Sequence, residues 1–149
     1  MLEDSLENNK YIVFSVDDQD LAIPLMSARE VVENFGIKPV AKTKNYFSGV
    51  TNIRGEVIGV IDLRKRFNRE VYEGRSVLIL FEFEGHTLAA LVDKLIRVDE
   101  LTSDEIDEAQ GVKDFLDISY VRGVYNKNSK IITIVDIKEF LLKDSIKAA

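Results

Sequence analysis

Histidine, the side chain most often used as a general base, occurs once in this sequence, as His86 in Glu84-Gly85-His86-Thr87. That is turn chemistry between two apolar runs, and no neighbouring motif supplies the nucleophile or carboxylate that a positioned base needs. No G-x-S-x-G stretch marks a serine nucleophile. Cysteine is absent altogether, which removes disulfides, thiolate zinc sites and cysteine nucleophiles together. Asp17, Asp18 and Asp20 offer carboxylates to a cation. A calcium loop, however, needs ligands at alternate positions, a central glycine and a bidentate glutamate further on, so their spacing reads as a solvated hairpin turn. Gly49, Gly55 and Gly59 form neither a dinucleotide fingerprint nor a phosphate cradle. Asp62 and Asp136 resemble a carboxylate pair, yet each closes an apolar strand ahead of a helical pattern and reads as an N-cap. No catalytic residue, metal or cofactor is expected, and the chain reads as a non-enzyme.

Two charged residues invite a different chemistry. Arg54 stands in the polar turn Asn52-Ile53-Arg54-Gly55 between two apolar runs, where its guanidinium can fork onto a nearby carboxylate. The plain alternative is a surface arginine with no role. Glu30 follows Ser27 at capping-box spacing, which predicts a helical turn starting there. The one basic run, Arg64-Lys65-Arg66, reads as a solvated helical face.

Short strands must position these residues. Val57-Ile58-Gly59-Val60-Ile61 is an almost unbroken, β-branched apolar run and reads as a strand buried on both faces. The turn before it makes an antiparallel hairpin, and Asp62 caps a short helix over Leu63 to Phe67. Upstream, residues 1–10 read as a disordered lead, Tyr11 to Val16 as a strand and Leu21 to Leu25 as its partner.

The second half repeats the first. Tyr46, Gly49, Val50, Asn52 and Asp62 recur as Tyr120, Gly123, Val124, Asn126 and Asp136, each 74 positions on. Phe14, Leu21, Ala22, Val31 and Glu33 recur as Phe81, Leu88, Ala89, Val98 and Glu100, each 67 positions on. The extra length falls in the acidic loop between Leu101 and Ser119, which opens with Thr102 and Glu105 at capping-box spacing. Duplicated units of about five short strands predict an all-β (mainly β) chain of two small five-stranded barrels. The expected division is 11–67 for the first, 68–75 for the connection, 76–142 for the second and 143–149 for a tail. Units of this size are marginal alone, so they should pack together. A C-terminal helix from Asp136 to Lys143, with Ile137, Phe140 and Leu141 on one face, is expected to dock on one of them.

Composition narrows the partners. With 46% hydrophobic and 31% charged residues the chain is globular, and a net charge of −6 argues against a nucleic-acid partner. No apolar run reaches the roughly 20 residues that span a bilayer, and the acidic N-terminus is unlike a signal peptide. A cytoplasmic protein without direct membrane insertion is expected.

The stretch GVTNIRGEVIGVIDLR from Gly49 to Arg64, the front end FSVDDQDLAIPLMSAREVVE and the closing YVRGVYNKNSKIITIVDIKEFL together resemble the CheW family of bacterial chemotaxis coupling proteins. The resemblance runs from about Tyr11 to Leu142. It implies two SH3-like five-stranded barrels and a scaffold that bridges chemoreceptor cytoplasmic tips to the regulatory domain of the histidine kinase CheA. It also implies a partner surface made by Glu30, Arg54 and Gly55, with Glu30 and Arg54 ion-paired. Val31, Val32 and Val98 would lie near a groove between the barrels that receives the receptor helix. Two positions depart from the family pattern: Gly59 stands where proline is usual, and Ser48 replaces a commoner charged residue. The rival readings are a regulatory barrel module of a related kinase, a CheV-type adaptor, and a nucleic-acid-binding small barrel.

Overall fold

The computed structural model describes residues 9–40, 47–67, 69–70, 74–83, 85–108 and 120–136. Their strands are β1 (Lys10–Val16), β2 (Gln19–Pro24), β3 (Glu30–Glu33), β4 (Phe47–Ile53), β5 (Glu56–Asp62), β6 (Val77–Phe83), β7 (His86–Val92), β8 (Lys94–Glu100), β9 (Val121–Lys127) and β10 (Lys130–Val135). A four-residue helix, α1 (Leu63–Arg66), follows β5, and single 3-10 turns lie at Leu25–Ser27 and Ser103–Glu105. The strands form two five-stranded sheets, one in the order β8-β1-β2-β10-β9 and the other β3-β6-β7-β5-β4.

These orders correct the expected division. β3 to β7 make one sheet from a continuous piece of chain, while the other joins the N-terminal hairpin β1–β2 to β8, β9 and β10. The chain passes between sheets at Leu25–Arg29 and at Asp93, so the 68–75 connection lies inside one sheet's stretch rather than between the two. A tandem duplication looks the same in sequence whichever copy a strand pairs with. Pairing is decided instead by the parallel contacts of β2 with β10 and of β5 with β7, each of which joins one copy to the other.

The long apolar runs follow from this arrangement, because both faces of the central strands are buried. Ile12, Phe14, Leu21 and Ile23 point to a shared core with Ile61, Ile79, Phe81, Ala90 and Val92 of the other sheet. The alternate residues Val13 and Ala22 face a core of their own sheet with Tyr125, Ile132 and Ile134. Ile58, Val60, Leu78, Leu80 and Ala89 do the same in the second sheet. The run from Val57 to Ile61 is thus buried on both faces from Ile58 onward, while Val57 remains 67% exposed at the strand's open end.

Among the described residues three hairpins turn on two residues with positive φ, at Asp17-Asp18, Arg54-Gly55 and Asn128-Ser129, the backbone signature of type I′ turns. The duplicated glycines have a steric purpose. A Cβ on Gly49 would lie 2.0 Å from the Lys38 carbonyl oxygen, and one on Gly123 would lie 2.6 Å from Ile106 Cγ2 and 3.1 Å from the Asp107 carbonyl oxygen. Lys38 and Asp107 lay a short bridge on β4 and β9 at Val50 and Val124 beside those glycines. Gly59 packs under Phe47, whose ring a Cβ would meet at 3.2 Å.

Local expectations fare unevenly. Asp62 caps α1, accepting from the Arg64 amide at 2.9 Å and the Lys65 amide at 3.4 Å. Burial pushes its carboxyl up, against those two backbone bonds, which pull it down. Thr102 and Glu105 form their capping box. Ser27 and Glu30 do not: Ser27 ends a 3-10 turn and Glu30 opens β3, because the Arg29 amide is taken by Leu80 in the neighbouring strand. The expected disordered lead falls outside the described residues except for Asn9 and Lys10, which already opens β1. The helix expected after Asp136 lies outside them as well.

Candidate functional site

β3 and the β4–β5 hairpin lie at opposite edges of their sheet, yet the sheet curls enough for side chains at those edges to meet. Arg54 Nη2 donates to Glu30 Oε1. Arg29, beside Glu30, donates to the Thr87 hydroxyl at 2.8 Å and to Glu56 at 3.3 Å, and its Nε lies 4.0 Å from Glu30. The result is a line of alternating charge, Arg54, Glu30, Arg29 and Glu56, across one mouth of the sheet. Asn52 holds the turn below it by accepting from the Gly55 amide at 2.9 Å.

Arg54 is unusual in two respects. Its φ is 51°, a conformation that turn positions normally give to asparagine, aspartate or glycine. Its side chain is nevertheless 64% exposed, whereas that of Glu30 is 27% exposed. The backbone therefore holds a long cation outward on a rigid hairpin, with one carboxylate steering it. Gly55 beside it, at φ 85°, is exposed.

The three valines divide. Val31 packs on the core shared by the sheets, and Val98 pairs with Ile12, whose side chain enters the same core, while remaining 52% exposed. They occupy equivalent places on the edge strands β3 and β8. Val32 points the other way, against the second sheet's own core, so it is not on the face between the sheets; neighbours along a strand face opposite sides. A register shift in the β1–β8 ladder at Val13/Phe14 sets Leu95 opposite Phe14, another shared-core residue, so Leu95 joins Val98 on that face. Leu95 is 44% exposed.

Two polar clusters escaped the sequence reading. Arg64, expected on a solvated face, is only 13% exposed and forks onto Asp93, with Nε to Oδ1 at 2.8 Å and Nη2 to Oδ2 at 2.6 Å. A lone aspartate where the apolar run of β7 meets that of β8 was the available signal. Asp99, 2% exposed, accepts from the Tyr125 hydroxyl and from Arg97 Nε, both at 2.7 Å, and lies 3.2 Å from Lys127 Nζ. Burial would raise its carboxyl, but those three donors outweigh it and hold the group below the usual carboxylate range. Tyr125 is pushed up by burial and by Asp99. The aspartates of the first turn are not simply solvated either: Asp17 lies 3.3 Å from Arg64 and Asp20, buried, 3.4 Å from Lys130. Ser48 occupies the place of Arg122, which pairs with Asp136 at 2.9 Å in the second copy; in the first, Asp62 caps α1.

Among the described residues no group of three histidine, aspartate or glutamate side chains is placed to hold a metal ion. His86 opens β7 at an exposed turn. Among them too, no helix is long and apolar enough to cross a membrane.

Two five-stranded sheets of duplicated strand order, sharing one core and carrying an ion-paired arginine at an exposed hairpin, define a mainly β protein whose distinctive chemistry is on its surface. The chain belongs to the CheW-like family, whose model matches residues 10–144. It is 28% identical over 145 residues to the chemotaxis protein CheW of Helicobacter pylori, covering 95% of this chain and 87% of that one. It is 29% identical over 143 residues to CheW of Bacillus subtilis, covering 94% and 91%. The crystal structure of the scaffolding protein TtCheW from Thermoanaerobacter tengcongensis superposes with a TM-score of 0.78 at 27% identity, covering 87% of this chain and 85% of that one. The chain is accordingly an adaptor in chemotaxis signalling.

Proposed function

We propose that this adaptor couples the cytoplasmic tips of chemoreceptors to the regulatory domain of the histidine kinase CheA, without catalysis and in the cytoplasm. The observation that carries the reading is the Arg54–Glu30 pair. A cation held outward at φ 51° is a local conformational cost of about 1 kcal/mol with no compensating burial, which fits a residue kept for a partner. Glu30, Arg54 and Gly55 make the kinase-facing surface, where an arginine can fork onto a partner carboxylate. Val31 and Val98, on the face between the sheets, form the apolar lining for a receptor helix, read as anchors at helical spacing. Val32 acts from behind, by packing the strand that carries Val31.

The family resemblance extends to each sheet being an SH3-like barrel. The Lys38–Val50 and Asp107–Val124 bridges support this, since each brings the segment after an edge strand onto the opposite edge.

Titration of the full chain with the kinase regulatory domain and, separately, with a receptor-tip fragment tests the proposal. Saturable binding to both is expected. Absence of binding to either contradicts it.

A further inference from the structure

The two passages of chain between the sheets are equivalent in the duplication but are built differently. Asp93, at the β7–β8 passage, corresponds to Met26, in the β2–β3 passage. Met26 is 60% exposed on a 3-10 turn with no buried residue. Asp93 is 7% exposed and is gripped from several sides. Its amide donates to the Ser15 carbonyl at 2.9 Å, and its carboxylate accepts from the Asp17 amide at 2.7 Å and from two nitrogens of Arg64. Arg64 also reaches the Asp17 carboxylate at 3.3 Å and the Glu70 carbonyl at 3.1 Å. One guanidinium therefore ties α1, which continues the second sheet, to the β1–β2 turn of the first and to the passage between them.

That tie sits at the root of β8. Asp93 is followed directly by Lys94, the first residue of the edge strand that carries Leu95 and Val98 on the face between the sheets. A planar fork on a carboxylate fixes direction as well as distance, which a point charge does not. We propose that Arg64 and Asp93 are positioning residues for partner binding: they fix the angle between the two sheets, and with it the placement of Leu95 and Val98 on β8 relative to Val31 on β3. The passage at Met26 is the compliant side of the joint, and the one at Asp93 is the locked side. The consequence for partner binding rests on the function proposed above, while the geometric part does not.

The absence of cysteine makes a direct test simple, because two introduced cysteines are unique labelling sites. Glu33→Cys and Glu100→Cys put spin labels at exposed, equivalent ends of β3 and β8, one on each sheet. Inter-label distances are measured by pulsed electron paramagnetic resonance in the otherwise unchanged chain, in Arg64→Lys, in Asp93→Asn and in the double variant. The unchanged pair should give one narrow distribution, and each variant a broader or displaced one. The double variant should be no broader than the worse single, since both remove the same contact. Affinity for a receptor-tip fragment should fall roughly ten-fold in each variant, the usual size of coupling between separated sites. An unchanged distance distribution in Arg64→Lys and Asp93→Asn overturns the proposal, even if melting temperature falls. If the unchanged chain binds no receptor fragment, the proposed function fails and the distances alone decide whether the pair sets the sheet angle.

Discussion

The hydroxyl of Tyr125 donates to Asp99 at 2.7 Å, joining β9 to β8, the two outermost strands of one sheet. Removing that donor leaves a buried carboxylate with less satisfaction, which costs about 1–3 kcal/mol. Tyr125→Phe should therefore lower stability by that amount in urea unfolding, with little effect on partner affinity.

The same carboxylate gives a pH dependence. Asp99 is held below its ordinary value of 3.8 in the folded chain, so its stabilisation is present above that value and is lost as pH falls through the folded one. Asp99→Asn should be less stable than the parent at pH 7, with the difference shrinking on acidification below about pH 4. Paired denaturant melts across that range measure it.

The two duplicated glycines should respond unequally. Gly49 has φ 133° and a backbone carbonyl 2.0 Å from where a Cβ would go, whereas at Gly123 the tightest neighbour is the Cγ2 methyl of Ile106 and the backbone carbonyl of Asp107 stands farther off, at 3.1 Å. Gly49→Ala should cost roughly 3 kcal/mol or more and Gly123→Ala clearly less, because a side chain can move where the backbone cannot. Thermal unfolding of the two variants, side by side, is the check.

Phe14 and Phe81 occupy equivalent places in the two copies and meet in one core, each fully buried. Either Phe→Ala change should cost about 3–5 kcal/mol. Because the core is shared, probes placed on each sheet should report the same transition in both variants; separate transitions would mean that the sheets unfold independently.

The sequence made the strands legible, because alternation and duplication are local properties: Val57 to Ile61, the Arg54-Gly55 turn and the Asp62 cap stand where they were expected. It concealed which copy each strand joins, since nothing local to Phe14 tells that the residue opposite it on the neighbouring strand is Leu95 of the second copy rather than one of the first. Glu30 and Arg54 could be singled out through resemblance and through the turn that displays the arginine. Arg64 could not, for a basic run at the end of a strand looks solvated until Asp93 arrives from 29 residues away. Val31 and Val32 look alike in sequence, while the first turns to the shared core and the second away from it.

The role of Arg54 gives the most direct test of the account. The pair with Glu30 lies at the surface, with Arg54 64% and Glu30 27% exposed, and surface pairs contribute about 0–1 kcal/mol to stability. Arg54→Ala should therefore leave the melting temperature almost unchanged, and Arg54→Gly, which relieves the positive φ, should leave it equal or higher. The decisive measurement is the affinity of the Arg54→Ala chain for the CheA regulatory domain, read beside its melting curve. Binding weakened roughly ten-fold or more at unchanged stability is the predicted result. Full affinity, or a loss of binding matched by a large loss of stability, would contradict it.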